Sequence, residues 1–141
     1  MDKRFWISGV VAFLVLFTGS YLVHGMWLTA DYMRHPQLFR PESEAGSHFL
    51  FMVLAFISMG FAFAWIYRQG ILPNRPWLMQ GLRFGIAVAF LMPLPMYLIY
   101  FVVQPMEGAT VAKQIIGDAI GLIVTGIIVA FINKSDTAGA T

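Results

Sequence analysis

The chain has 141 residues, of which 59% are hydrophobic and 11% charged, and its formal net charge is +2. A soluble domain carries about twice that charged fraction, near 25%, so we expect one membrane domain over residues 1–141. The lack of cysteine excludes disulfides, thiolate metal sites and iron–sulfur clusters. The few basic residues form no cluster that indicates a nucleic-acid partner, and the lipid bilayer is their ordinary partner.

Four long apolar runs cover roughly residues 5–27, 49–67, 77–103 and 111–132. A helix needs about 20 apolar residues to cross a bilayer core of about 30 Å, and each run meets that length. The sequence therefore predicts an all-α integral membrane protein, a bundle of four transmembrane helices. Short connections favour antiparallel neighbours, and the one long connection is a loop over 28–48.

Basic residues are unevenly divided between the two sides of the membrane that this topology defines. Cytoplasmic loops carry an excess of Lys and Arg, so we expect both termini to be cytoplasmic and the 28–48 loop to lie outside. The six basic residues on the cytoplasmic side would be Lys3, Arg4, Arg68, Arg75, Arg83 and Lys134, against Arg34, Arg40 and Lys113 outside.

The two halves of the chain resemble one another. A shift of about 66 residues places the second helix on the fourth, so that Gly60 meets Gly126 and Arg68 meets Lys134. A shift of about 76 places the first helix on the third, so that Tyr21 meets Tyr97. Two repeated helical hairpins are one interpretation, and chance similarity between apolar helices is the other.

The 28–48 loop is too apolar for a flexible linker. The spacing of Trp27-Leu28 and Tyr32-Met33 predicts a short helix at the membrane surface, from about Thr29 to His35. Apolar side chains and one cation in this loop are candidates for contact with a protein partner. These candidates are Trp27, Tyr32, Leu38, Phe39 and Arg40.

The runs His24-Gly25, Asp31-Tyr32 and Leu38-Phe39-Arg40-Pro41-Glu42 resemble an uncharacterised family of small bacterial inner-membrane proteins with four helices. The similarity extends through residues 81–85, Pro93, residues 97–105 and the last helix. The resemblance implies a four-helix protein of the bacterial inner membrane, and it implies no known activity.

The three histidines fall at the same end of the predicted bundle. His24 ends the first helix and His48 begins the second, the arrangement of a haem with one axial histidine from each of two helices. A divalent metal held by His24, Asp31, His35 and His48 is an alternative. Histidines that pack at the membrane interface with no ligand are a third interpretation.

Asp118 is the one carboxylate predicted well inside an apolar helix. A charge there is costly in lipid, so we expect it to face the bundle interior, with Tyr97, Tyr100 and His24 as candidate partners. It would bind a proton or an ion, or sit near the headgroups at a helix start. Pro93 and Pro95 interrupt the third helix, which predicts either a kink or a break that lines a cavity.

These observations leave three functions open. The first is a non-catalytic accessory or assembly subunit that binds other membrane subunits or another copy of itself. The second is a haem- or metal-binding membrane protein, and the third is a small transporter of an ion, a proton or a solute. No nucleophile or nucleotide motif defines a reaction, so we expect no enzyme activity and no catalytic residue.

Overall fold

The computed structural model of this protein describes residues 2–134. The two ends of the predicted 1–141 domain and the side chain of Glu42 lie outside the described part. Every regular element within residues 2–134 is helical. The elements are α1 (Lys3–Ser20), which continues as π-helical turns (Tyr21–Trp27), α2 (Thr29–Tyr32), a 3₁₀ turn (Pro36–Leu38), α3 (Glu42–Gln69), α4 (Trp77–Leu91), α5 (Pro93–Val103) and α6 (Gly108–Ile132).

Four helical stretches are long and apolar enough to cross a membrane. They are Lys3–Trp27, Ser43–Gln69, Trp77–Val103 and Gly108–Ile132. The structure thus confirms the predicted class, an all-α four-helix bundle, and by length and composition it is a multi-pass membrane protein. We name its two ends after residues that lie there: the His24 end, where α2 is, and the Arg68 end, where α1 begins.

Some elements begin or end at residues other than those expected. The second span begins at Glu42 rather than near Phe49, because Pro41 is extended (φ −55°, ψ 146°) and the polar residues after it continue into the helix. The connection after the first span is therefore shorter than 28–48. The surface helix ends at Tyr32, short of the expected His35, and α6 begins at Gly108.

Glycines let the helices of each hairpin approach closely. A Cβ on Gly60 of α3 would lie 2.5 Å from the backbone nitrogen of Phe13 in α1. A Cβ on Gly126 of α6 would lie 2.5 Å from the carbonyl oxygen of Gly81 in α4. Distances this short exclude any side chain, so these contacts require glycine, as small residues at membrane helix interfaces commonly do.

The close contacts in the two hairpins fall at equivalent positions. Gly60 approaches the carbonyl oxygen of Gly9, and Gly126 approaches the backbone of Gly85. The shifts of 66 and 76 residues place Gly60 on Gly126 and Gly9 on Gly85. The two hairpins, α1 with α3 and α4–α5 with α6, therefore pack through corresponding glycine pairs, as a repeated hairpin requires.

The third span is broken in its middle. α4 ends at Leu91, Met92 has φ −107° and ψ −79°, and α5 begins at Pro93. Pro93 and Pro95 have no N–H group to donate to the preceding turn, so the regular hydrogen-bond pattern stops between α4 and α5. The break exposes irregular backbone at membrane depth, which is tolerated where it lies within protein or lines a cavity.

A hydrogen-bonded network joins three spans at the Arg68 end. The fully buried side chain of Asn133 donates to the Ser8 hydroxyl at 2.9 Å and to the Val129 carbonyl at 2.8 Å. Its amide oxygen accepts a bond of 2.9 Å from Arg68, which also pairs with Asp2. These bonds connect α1, α3 and the end of α6, and they satisfy polar groups that would be costly to bury alone.

Candidate functional site

The polar residues of α6 share one face of an otherwise apolar helix. Gln114 and Asp118 are four residues apart, and Gly117 and Gly121 lie on the same face. Gly117 packs against Val23 of the first span, whereas a Cβ on Gly121 would meet nothing within 4 Å. The face therefore carries a carboxylate and an open space side by side.

His24 and Tyr97 both contact the Asp118 carboxylate. The Nε2 atom of His24 lies 3.0 Å from one carboxylate oxygen, and the Tyr97 hydroxyl donates to the other at 2.6 Å. His24 belongs to the π-helical turns, where the Leu28 N–H bonds to the Val23 carbonyl five residues back. Such turns are frequent at functional sites, and this one lies where the first span presents the imidazole to α6.

Tyr32 connects α2 to the other side of the same imidazole. Its hydroxyl lies 2.5 Å from His24 Nδ1 and accepts a bond of 3.1 Å from the Gln114 amide. Burial raises the pKa of Tyr32 above its ordinary value, so the hydroxyl keeps its proton at neutral pH. A continuous set of hydrogen bonds thus runs from Gln114 through Tyr32 and His24 to Asp118 and Tyr97.

An ion-pair network holds α2 in place above this set. Asp31 is buried, and its two carboxylate oxygens accept from Lys113 of α6 at 2.9 Å and from Arg34 at 2.5 Å. Arg34 also bonds to Glu107 at 3.1 Å. The hydrogen bond from Lys113 is the main reason that the pKa of Asp31 lies below its ordinary value. Asp31 is therefore ionised at neutral pH and fixes the position of its neighbour Tyr32.

A cavity of about 260 Å³ lies beside the Asp118 carboxylate. The first span, α3, α6 and the break between α4 and α5 all contribute to its walls. Apart from a few polar groups, its lining is apolar and rich in methionine, a flexible side chain that adapts to different ligands. The lining residues are Leu16, Gly19, Ser20, His24, Phe56, Met59, Met92, Pro93, Met96, Tyr97, Gly117, Asp118, Gly121 and Leu122.

The helices pack loosely on the α3 side of this cavity. α3 packs along α1, and at the Arg68 end Phe63 and Tyr67 contact Phe84 of α4. Toward the His24 end no residue from Ser43 to Met59 is buried, and α3 makes little contact with α5. On this side the cavity is therefore lined by Phe56 and Met59, which are only partly buried.

Within residues 2–134, no contact joins His24 to His48. His48 is exposed on α3, and its Nδ1 atom lies 3.0 Å from both the Ser47 hydroxyl and the Glu44 carbonyl. Both ring nitrogens of His24 are already in hydrogen bonds. A haem between these histidines would require His24 to give up its present partners.

The four predicted metal ligands also have different contact partners and do not converge on one point. Asp31 is paired with two cations, which disfavour a metal ion beside it. His35 has a buried Nε2 atom that has no hydrogen-bond partner in the described structure. Within residues 2–134, no group of three or more His, Asp and Glu side chains is arranged to hold a metal ion.

The candidate partner-facing residues divide into two groups. Trp27, Phe39 and Arg40 are exposed, and Arg40 pairs with Glu44 at 3.8 Å. Leu38 is half-buried, and Tyr32 is engaged with His24 while its ring packs on Phe39 at 4.9 Å. Tyr100, a candidate partner of Asp118, instead contacts the ring of Tyr97 at 6.4 Å.

Sequence reasoning missed several residues of the site. Gln114 and Lys113 were not singled out, although the i, i+4 spacing of Gln114 and Asp118 is a signal of one polar helix face. Phe56, Met59 and the methionines near Pro93 carry no such signal, because apolar residues in a membrane helix look alike whether they face lipid or a cavity.

Comparison of the chain with protein-family models, with curated proteins and with solved structures finds no match. The chemistry and geometry of the site are therefore what indicate the function of this protein.

Proposed function

We propose that this multi-pass membrane protein binds a small amphiphilic solute in the cavity beside Asp118 and serves in its transport across the membrane. The observation that carries the proposal is one apolar cavity with a hydrogen-bonding carboxylate, imidazole and phenol on a single wall. Ligand sites are typically concave and mostly apolar, with a few convergent polar groups that fix the ligand's orientation.

The break in the third span supports the transport part of this proposal. Substrate sites in transporters lie near interrupted helices, whose two halves reorient around the bound solute. Here Met92 and Pro93 form both the break and part of the cavity wall. Movement of α5 relative to α4 about Met92 would change the wall of the cavity without unfolding either helix.

Binding of three probes of similar size tests the proposal: benzylammonium, benzyl alcohol and benzoate. We expect the full chain in lipid nanodiscs to bind one of them saturably in equilibrium dialysis, and proteoliposomes to carry that probe. Gly121→Leu should abolish both effects because it fills the cavity. Gly46→Leu is the matched control, since Gly46 also has nothing within 4 Å but lies away from the cavity.

No saturable binding of any probe by the folded wild-type chain would contradict the proposed function. Equal binding by the wild type and Gly121→Leu would contradict the assignment of the cavity as the site.

We further propose that the protein lies in the bacterial inner membrane with both termini in the cytoplasm. The excess of basic residues at the Arg68 end supports this orientation. The chain has no cysteine, so Gly46→Cys and Asn74→Cys provide single labelling sites at opposite ends. In intact cells stripped of the outer membrane, an impermeant maleimide should label Gly46→Cys and spare Asn74→Cys; the reverse would refute the orientation.

An accessory or assembly role in a larger membrane complex is a second candidate. The observation that favours it is the exposure of α3 near the His24 end, where Leu50 and Phe51 are 64% and 69% exposed. A second membrane subunit, or another copy of this chain, would pack there beside the exposed Phe39 and Arg40. Purification in mild detergent should then retain a stoichiometric partner that Phe51→Ser releases. A chain that always runs alone would count against this role.

The haem and metal hypotheses keep less support, because His24 is fully hydrogen-bonded and Asp31 is paired with Lys113 and Arg34. A visible spectrum and elemental analysis of the purified protein test them. A Soret band or a stoichiometric metal that disappears in His24→Ala would restore them.

A further inference from the structure

The Asp118 carboxylate has no permanently positive partner in the part of the chain that the structure describes. Its two partners are His24, whose charge depends on pH, and the neutral hydroxyl of Tyr97. No lysine or arginine lines the cavity. Lys113, five residues before Asp118, is paired with Asp31, and Arg34 is paired with Asp31 and Glu107.

The hydrogen bonds around His24 are satisfied when the imidazole is neutral. Gln114 donates to the Tyr32 oxygen, and the Tyr32 hydroxyl then donates to Nδ1 of His24. Nε2 carries the proton of the ring and donates it to Asp118. With Asp118 ionised, this arrangement carries one negative charge that none of its partners compensates.

The carboxylate also has unused acceptor positions. An ionised carboxylate offers about four lone-pair sites, and His24 and Tyr97 occupy two of them. About a quarter of the Asp118 side chain is exposed (26%), on the wall of the cavity. A group that brings both a positive charge and N–H donors would fill what the site lacks.

We propose that the solute is a small lipophilic ammonium ion, whose N–H groups bind the Asp118 carboxylate. The ammonium group lies against the carboxylate, and the apolar part occupies the cavity between Phe56 and the methionines near Pro93. Aromatic faces at Phe56 and Tyr97 favour a cation over a neutral group of the same shape. This inference rests on the proposed function and names the class of its solute.

The charged and titratable groups near the pair come from several elements. α2 contributes Tyr32 and the ion-paired Asp31, α5 contributes Tyr97 and Tyr100, and α6 contributes Lys113 beside Asp118 itself. The α3 residues that line the cavity, Phe56 and Met59, carry no titratable group. The cation among these groups, Lys113, pairs with Asp31 rather than with Asp118.

The test is equilibrium dialysis of benzylammonium, benzyl alcohol and benzoate against the full chain in nanodiscs at neutral pH. Benzylammonium is charged there because alkylammonium groups titrate at pH ~10. We expect the cation to bind at least about tenfold more tightly than benzyl alcohol, because only the cation brings charge-assisted hydrogen bonds to the carboxylate.

A conservative variant tests the role of the carboxylate charge. Asp118→Asn should abolish the preference of the site for benzylammonium over benzyl alcohol, with circular dichroism confirming that the helices are retained. The comparison of the three probes on the wild type needs no variant, so it remains informative if the variant does not fold.

Preference for benzyl alcohol or benzoate over benzylammonium would overturn the inference and leave the proposed function intact. An equal preference for benzylammonium in the wild type and in folded Asp118→Asn would also overturn it. If none of the probes binds the folded wild type, the proposed function itself is wrong, and the inference falls with it.

Discussion

His24 Nε2 lies 3.0 Å from a carboxylate oxygen of Asp118, although the two residues are 94 positions apart in the chain. This contact joins the end of the first span to the last span at one wall of the cavity. An acid placed at membrane depth is costly unless it is paired or hydrogen-bonded, and the imidazole meets that need.

Removal of the Tyr97 hydroxyl should destabilise the bundle modestly. Tyr97→Phe deletes the 2.6 Å bond to Asp118 and keeps the ring. Interhelical hydrogen bonds in membranes contribute about 0.6 kcal/mol on average, and bonds to charged groups contribute about 1.5–3 kcal/mol. We therefore expect the free energy of unfolding to fall by about 1 kcal/mol. Reversible unfolding in mixed micelles measures it. Tyr100→Phe serves as the control and should leave stability unchanged.

Two glycines on α6 should respond oppositely to a large side chain. Gly126→Leu would place a side chain against the Gly81 carbonyl and force α4 and α6 apart. We expect the free energy of unfolding to fall by at least about 1–3 kcal/mol. Gly121→Leu enters open space and should keep or slightly raise stability, because leucine favours helix over glycine by up to about 1 kcal/mol. Thermal unfolding of both variants would show the difference, and equal losses would contradict the packing described here.

The connection between α2 and α6 should weaken in acid. The hydrogen bond from Lys113 lowers the pKa of Asp31 below the ordinary 3.8. A group with a lowered pKa in the folded state stabilises that state above the unfolded pKa, and the contribution is lost as the pH falls through the lower, folded value. We therefore expect the hydrogen-exchange protection factors of the α2 amides, which correct for the intrinsic effect of pH, to fall below pH ~4.

Two variants serve as controls for this acid effect. Asp31→Asn should exchange rapidly at all pH values and lose the acid-dependent step. The pKa of Asp2 is also lowered, chiefly by a hydrogen bond from the Phe5 N–H and then by Arg68. Asp2→Asn should therefore alter the acid response only at the Arg68 end. An α2 that stays protected in acid would show that the Asp31 pairs do not hold it.

The Arg68 end should depend on Asn133. Asn133→Leu keeps the size of the side chain and removes its bonds to Ser8, Val129 and Arg68. Each unsatisfied buried group costs about 1–3 kcal/mol, so a clear drop in the unfolding temperature is expected. Gln69→Leu, at an exposed position on the same end of the bundle, is the matched control. Equal stability of the two variants would refute a structural role for the network.

Much of the fold follows from local features of the chain. The four apolar runs predict the spans, and the third span predicted over 77–103 corresponds to α4 and α5 together. The break at Met92 follows from the missing donors of Pro93 and Pro95. The early start of α3 was not predicted, because residues 43–48 are polar and hydropathy alone does not separate a membrane helix from its extension into the interface.

The candidate site was predictable only in part. A carboxylate in an apolar helix must find polar partners, so the chemistry of Asp118 restricts the choice to the few polar residues at its depth, and His24 and Tyr97 are two of them. The pairing of Asp31 with Lys113 depends on how α2 folds back over the bundle. No spacing within one helix specifies that contact, and the prediction that Asp31 binds a metal did not include it.

The sequence by itself determined which segments cross the membrane, because the transfer of apolar side chains from water to lipid is a sum over local composition. It also determined that Asp118 would need partners. Only the tertiary structure decided that a cavity lies beside that carboxylate, because empty space arises where helices from distant parts of the chain diverge. Glycines draw α1 to α3 and α4 to α6, the proline break bends α5, and the gap they leave is a property of the assembled bundle.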